Sequence, residues 1–154
     1  MRFLISLAVL ALSSQHSAAK PVLEGEFSSA CEWSGIDENS VIASKTFWAF
    51  SDGKAQIRQV YFDDSNCLHE VKSEFSWIKT CRMETLEVFD SVKYPRGFPY
   101  RFKMDQCDDG EEFEGCYYLD PQGFSDKKAL YLGYTEMVDG KISCELALDE
   151  ILAQ

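Results

Sequence analysis

The stretch KTFWAFSDGKAQIRQVYF, from Lys45 to Phe62, reads as two strands folded back on each other. Asp52-Gly53 at its centre suits a two-residue type I′ turn, which requires positive φ at both central positions. Fixing that turn fixes the register. Trp48 then stands opposite Ile57 and Phe50 opposite Ala55 on one face, while Phe47 meets Arg58 and Ala49 meets Gln56 on the other. The first face is apolar and the second more polar, so the pair has one buried side and one wet side.

The same logic repeats near the C-terminal end, where Asp139-Gly140 joins ALYLGYTEMV to KISCELAL. The expected pairs are Met137–Ile142, Thr135–Cys144, Gly133–Leu146 and Tyr131–Leu148 on the apolar face. Glu136–Ser143 and Tyr134–Glu145 lie opposite. Leu146 to Leu152 admits a terminal helical turn as the alternative to strand.

Between the two hairpins, Val71, Ser73, Phe75 and Trp77 alternate with Lys72, Glu74 and Ser76. Thr85–Val92 and Phe98–Met104 flank Tyr94-Pro95-Arg96-Gly97 as a third hairpin, with Tyr100, Phe102 and Met104 on one face. Cys116–Leu119 is a short further strand, and Val22–Trp33 opens the domain. The whole predicts an all-β, antiparallel up-and-down barrel of about eight strands.

Residues 1–19 read differently. Arg2 precedes a mostly apolar run, Phe3 to Leu12, and Ser17 and Ala19 supply small residues before a cut at Ala19/Lys20, the pattern of a cleavable signal peptide. The run stops well short of the roughly 20 apolar residues of a membrane-spanning helix. The expected organisation is therefore a leader, 1–19, and a single barrel domain, 20–154. The chain is expected to be secreted, extracellular or periplasmic, with no membrane insertion after cleavage.

The chain carries 15 basic and 26 acidic residues, net −11, and loss of Arg2 with the leader takes this to −12. Such a charge opposes nucleic acid and anionic lipid by repulsion. Cys31, Cys67, Cys81, Cys107, Cys116 and Cys144 all lie in the mature part, and an even count in an exported chain implies three structural disulfides. No paired short Cys spacing supports a metal site.

Catalysis by the common routes is hard to assemble. His69 is the only imidazole left after cleavage, so any Ser/His/Asp or Cys/His site must use it. It lies in CLHE between two strands and reads as a surface or packing residue. No nucleophile elbow or phosphate loop is present. No catalytic residue, metal or cofactor is expected, and the chain reads as a non-enzyme. The acidic segment MDQCDDGEEFEG, Met104–Gly115, fails as an EF-hand, because a loop starting at Asp105 puts Cys107 and Cys116 at ligand positions three and twelve. A solvated turn is the better reading there and at Asp63-Asp64, with a weak calcium site of another geometry as the lesser alternative.

Phe, Tyr and Trp together make up 14% of the chain. Aromatic residues suit strands and fill small barrels, and a barrel of this size is either filled or holds one small ligand. The candidate lining of such a cavity is Trp48, Ile57, Phe75, Trp77, Tyr100, Phe102 and Tyr131.

Gly25-Glu26-Phe27 followed by Cys31, then Tyr61-Phe62-Asp63 with Cys67, then Leu130-Tyr131-Leu132-Gly133 ahead of Leu146-x-Leu148-Asp149, resembles small exported lipocalin-like barrel proteins. Phe27 stands where the lipocalin Gly-x-Trp start has Trp. The resemblance implies a closed antiparallel barrel, a Cys31–Cys67 bridge and binding of a small hydrophobic molecule. Three pairings remain for the other four cysteines. Counting outward from the turn near Pro95 favours Cys81–Cys107, from which Cys116–Cys144 would follow.

The expected function is thus a non-enzymatic binding protein for a small apolar ligand. The alternative is an acidic interaction or inhibitor module presenting Asp105–Glu114 to a basic protein, such as a lysozyme-like enzyme, through electrostatic steering.

Overall fold

The computed structural model describes residues 22–34, 41–89, 98–120 and 128–153, with side chains up to residue 146. The expected leader, residues 1–19, and the turn expected at Tyr94–Gly97 lie outside the described residues. The described residues form ten strands: β1 (Gly25–Ser28), β2 (Glu32–Trp33), β3 (Ala43–Ser51), β4 (Lys54–Phe62), β5 (Glu70–Val71), β6 (Trp77–Val88), β7 (Tyr100–Asp105), β8 (Phe113–Asp120), β9 (Ala129–Val138) and β10 (Lys141–Ala153).

Every pairing among them is antiparallel. Starting at β3 the sheet runs β4, β6, β7, β8, β9, β10 and β1, and β1 returns to β3. Eight strands therefore curl into an up-and-down barrel. β2 continues β1 along the far end of β3, and β5 adds two residues to β4. The seam between β1 and β10 is thin, with Ser28 opposite Ala153 as its register pair among the described residues.

Both turns behave as their sequences require. Asp52 and Gly53 have φ of 50° and 70°, and Asp139 and Gly140 have 51° and 75°, the left-handed values of a type I′ turn. The β3–β4 register places Trp48 opposite Ile57 and Phe50 opposite Ala55. In β9–β10 the pairs from Met137–Ile142 to Gly133–Leu146 also form, but the register then shifts, and Tyr131 lies opposite Ile151 rather than Leu148. A bulge after Leu146 inserts extra residues, which a count outward from the turn does not foresee. The terminal segment is strand, not a helical turn.

The expected strand over Val71–Trp77 is also broken. The amide of Ser76 bonds the carbonyl of Ser73, and the Ser73 hydroxyl accepts from the amide of Phe75. That local turn ends β5 and lets β6 begin at Trp77. Serine offers the backbone partners that compete with a ladder, which the alternation of apolar residues conceals.

Inside the barrel, Phe27, Phe50, Ala55, Ile57, Met83, Phe102, Tyr117, Leu130 and Leu132 form the main core. Its aromatic rings run in a chain, Tyr100 on Tyr117, Tyr117 against Phe102, and Phe102 against Phe113, with centroids 5.6, 6.1 and 5.7 Å apart. The Tyr117 and Thr85 hydroxyls are hydrogen-bonded at 3.1 Å, which satisfies the phenol inside the core.

Two smaller clusters cover the outside. Phe89, Tyr118 and Leu146 surround the Cys116–Cys144 disulfide, and Ala43, Val60 and Phe62 pack beneath the Cys31–Cys67 disulfide. The third bridge, Cys81–Cys107, ties β6 to the segment following β7. No helix of the described residues is long and apolar enough to cross a membrane.

Candidate functional site

Large side chains fill most of the barrel, but not the end where β7 turns into β8. On β3 and β4 the inward series passes from Phe50 and Ala55, through Trp48 and Ile57, to Thr46 and Gln59. On β6 it passes from Cys81 to Lys79 and Trp77. These outermost positions are polar or project from the rim, so the core thins and a hollow of about 330 Å³ opens there. This lies at the lower end of the range of small-molecule pockets.

Its apolar surface comes from Trp48, Ile57, Trp77, Met104 and Phe113, with the Cys81–Cys107 disulfide beneath the β7–β8 turn. Trp48 is held from behind by a stacked Phe50, 6.1 Å away, which meets Phe27 edge-on. The polar side consists of Thr46, Gln59, Lys79, Glu111 and Glu112. The Thr46 hydroxyl donates to Gln59 Oε1 at 3.0 Å, fixing the two together across β3 and β4.

The seven candidate cavity residues separate into groups. Trp48, Ile57 and Trp77 line the hollow. Phe102 and Tyr100 belong to the packed interior, Phe102 completely buried. Phe75 lies edge-on to Tyr61 in the turn before β6, half-exposed. Tyr131 stands on the other face of the sheet against Tyr118, in the cluster around Cys116–Cys144.

Thr46, Gln59 and Lys79 were legible as neighbours of the series, since each lies two positions from Trp48, Ile57 or Trp77. Phe113 had no such signal. It sits in an acidic run, and only the β7–β8 pairing of Met104 with Phe113 turns it to the mouth.

Charges around this end are heavily paired. Lys79 Nζ reaches Asp109 and Glu111, each at 2.5 Å. The Arg82 guanidinium clasps Asp105 through two 2.7 Å hydrogen bonds, and Lys103 sits between Asp105 and Glu112. Arg101 similarly spans Glu87 and Glu114. The acidic segment is thus engaged by cations of its own barrel.

These contacts shift titrations. Hydrogen bonding to Asp109 and then Glu111 raises Lys79 above its ordinary value, while Arg82 and Lys79 hold Asp105 and Asp109 below the usual carboxylate range. A depressed carboxylate stabilises the fold above its ordinary pKa and loses that contribution as pH falls through the lowered value. The thermal midpoint is expected to stay level at neutral pH and to fall below about pH 4. A midpoint unchanged between pH 7 and pH 2 would remove these pairs from the account of stability.

A second cluster lies at Asp63, Asp64 and His69, whose ligand atoms come within 4.8 Å of one another. Asp64 Oδ1 accepts from the amide of Asn66, and its Oδ2 accepts from those of Leu68 and His69. Despite the burial that opposes it, these amides keep the Asp64 carboxyl below its usual range. The carboxylate shapes the turn beside Cys67, in keeping with the solvated-turn reading.

A further hollow of about 410 Å³ lies at the Asp52-Gly53 end, lined by Leu23, Lys54, Met83 and Glu84 among others, without an aromatic ring. The mouth between β7 and β8 joins rings, a disulfide and convergent polar groups, the composition of a ligand pocket. Comparison with protein families, curated proteins and solved structures finds no match to this chain.

Proposed function

We propose that the protein is a non-enzymatic binding protein that holds a small apolar ligand in the open end of its barrel. The observation that carries this reading is the hollow lined by Trp48, Ile57, Trp77, Met104 and Phe113. Apolar surface left open to water at this end of the barrel gains free energy when a ligand covers it. The resemblance to lipocalin-like barrels points the same way. Three disulfides suit an oxidising compartment. With the leader read at 1–19, we place the mature chain outside the cell or in the periplasm.

Presentation of Asp105–Glu114 to a basic protein draws less support. Asp105, Asp109, Glu111, Glu112 and Glu114 already have cationic partners within the barrel. A partner would have to compete with those contacts.

Two of the three tryptophans face the hollow, so intrinsic fluorescence reads its occupancy. Titration with N-phenyl-1-naphthylamine, a neutral apolar fluorophore, is expected to quench that emission saturably. Trp77→Ala should weaken binding about tenfold, a loss of roughly 1.4 kcal/mol in contact. Trp33→Ala, removing an exposed ring on β2, should leave affinity unchanged. A linear, unsaturable response in the wild-type chain would end the binding reading.

A further inference from the structure

We infer that the ligand is an apolar molecule carrying a positive charge, an alkyl or aryl amine held with its body on the rings and its ammonium at the acidic rim. This rests on the binding reading above and adds the chemical class of the ligand.

The charged residues that line the hollow are Lys79, Glu111 and Glu112. Lys79 is the only cation among these lining residues, and it is not free to receive an anion. Its ammonium is already bound by Asp109 and Glu111, both at 2.5 Å. A ligand carboxylate would have to displace one of those groups while approaching the others. Glu112 shares Lys103 with Asp105, and Asp108 accepts the amide of Thr80 at the base of the same turn. The turn therefore holds more carboxylates than cations.

Exposure gives the carboxylates room to act. Glu111 and Glu112 side chains are 72% and 64% exposed, so each can turn toward a ligand ammonium without breaking core packing, the ammonium competing with Lys79 and Lys103 for them. Below them the hollow offers the rings of Trp48, Trp77 and Phe113. Aromatic faces carry negative potential and attract ammonium groups, most strongly when water is partly excluded. A neutral ligand would use only the apolar surface. An anion would meet the carboxylates and the ring faces with the wrong sign, inside a chain of net charge −11. A cation gains from all three elements.

The test compares octylamine, octan-1-ol and octanoate, which share one apolar body and differ in head-group charge, by displacement of N-phenyl-1-naphthylamine at pH 7 and low salt. Octylamine is expected to bind about tenfold more tightly than the alcohol, with octanoate weakest, and the gap should narrow at high salt. E111Q/E112Q should close the gap between octylamine and octan-1-ol, read as the ratio of the two affinities within that variant. Because Glu111 also contacts Lys79, Glu112→Gln alone gives a second reading, a narrowing of that ratio by about threefold. If the alcohol or the carboxylate bound as tightly as the amine, the cation inference would fall and the apolar binding site would stand. If the fluorophore itself showed no saturable binding, and none of the three did, both readings would fall together.

Discussion

Reduction of the three disulfides is expected to unfold the chain at 37 °C. Cys31–Cys67, Cys81–Cys107 and Cys116–Cys144 join residues 36, 26 and 28 positions apart. In the chain-entropy account each such loop stabilises the fold by about 3–4 kcal/mol. Together they rival the entire stability of a typical domain, roughly 5–15 kcal/mol.

Their placement strengthens the expectation. Cys81 and Cys107 are core members, and Cys116 and Cys144 are the centre of the outer cluster under Phe89 and Tyr118. The seam between β1 and β10 is thin. The Cys31–Cys67 bridge fastens the segment after β1 to the segment after β4, and so helps hold the first strand in place. Far-ultraviolet circular dichroism during thermal melting, with and without reductant, checks this. A reduced chain melting within a few degrees of the oxidised one would show that packing alone suffices.

Gly133→Ala should be the most damaging single substitution outside the cysteines. A Cβ at Gly133 would lie 2.1 Å from the Glu145 carbonyl oxygen and 2.7 Å from the Leu146 Cα. Both are backbone atoms of the neighbouring strand, so no side-chain rotation relieves the overlap. The ladder from β9 to β10 would have to part where Gly133 pairs with Leu146, next to the bulge. Overpacking usually costs about 1–3 kcal/mol, and a clash with fixed backbone belongs at or above the top of that range.

Gly140→Ala offers the contrast. No atom lies within 4 Å of a Cβ there, but its φ of +75° makes any side chain unfavourable. Its cost is expected to stay near 1 kcal/mol. Chemical denaturation of both variants gives the ordering, and a Gly133→Ala chain as stable as Gly140→Ala would contradict the clash.

Much of the fold is legible because its signals are local. Asp52-Gly53 and Asp139-Gly140 dictate turn type through φ alone, and each turn then sets its own register. The observed bridges also match the proposed pairing, including the Cys81–Cys107 link that follows from counting back from a hairpin turn. The departures have local causes of another kind. Ser73 supplied competing hydrogen bonds that ended β5, and the bulge after Leu146 changed the partner of Tyr131. Neither breaks the apolar alternation that made these segments read as strand.

The candidate site was legible only in part. Alternation correctly grouped Trp48 with Ile57, but it could not say which inward residues would be packed and which left open. Phe102 and Trp77 are equally aromatic and both lie on β strands, yet one is fully buried and the other stands at a rim. That difference depends on what β7, β8 and β3 bring against each ring, across large separations in sequence. The sequence by itself determined the strand class, the two tight turns and the acidic, six-cysteine character of the chain. Only the tertiary structure decided where the interior ends and that Lys79 is occupied by Asp109 and Glu111. Turn geometry and strand alternation act between near neighbours, whereas a cavity is the volume left over when side chains from the whole ring of strands have been packed.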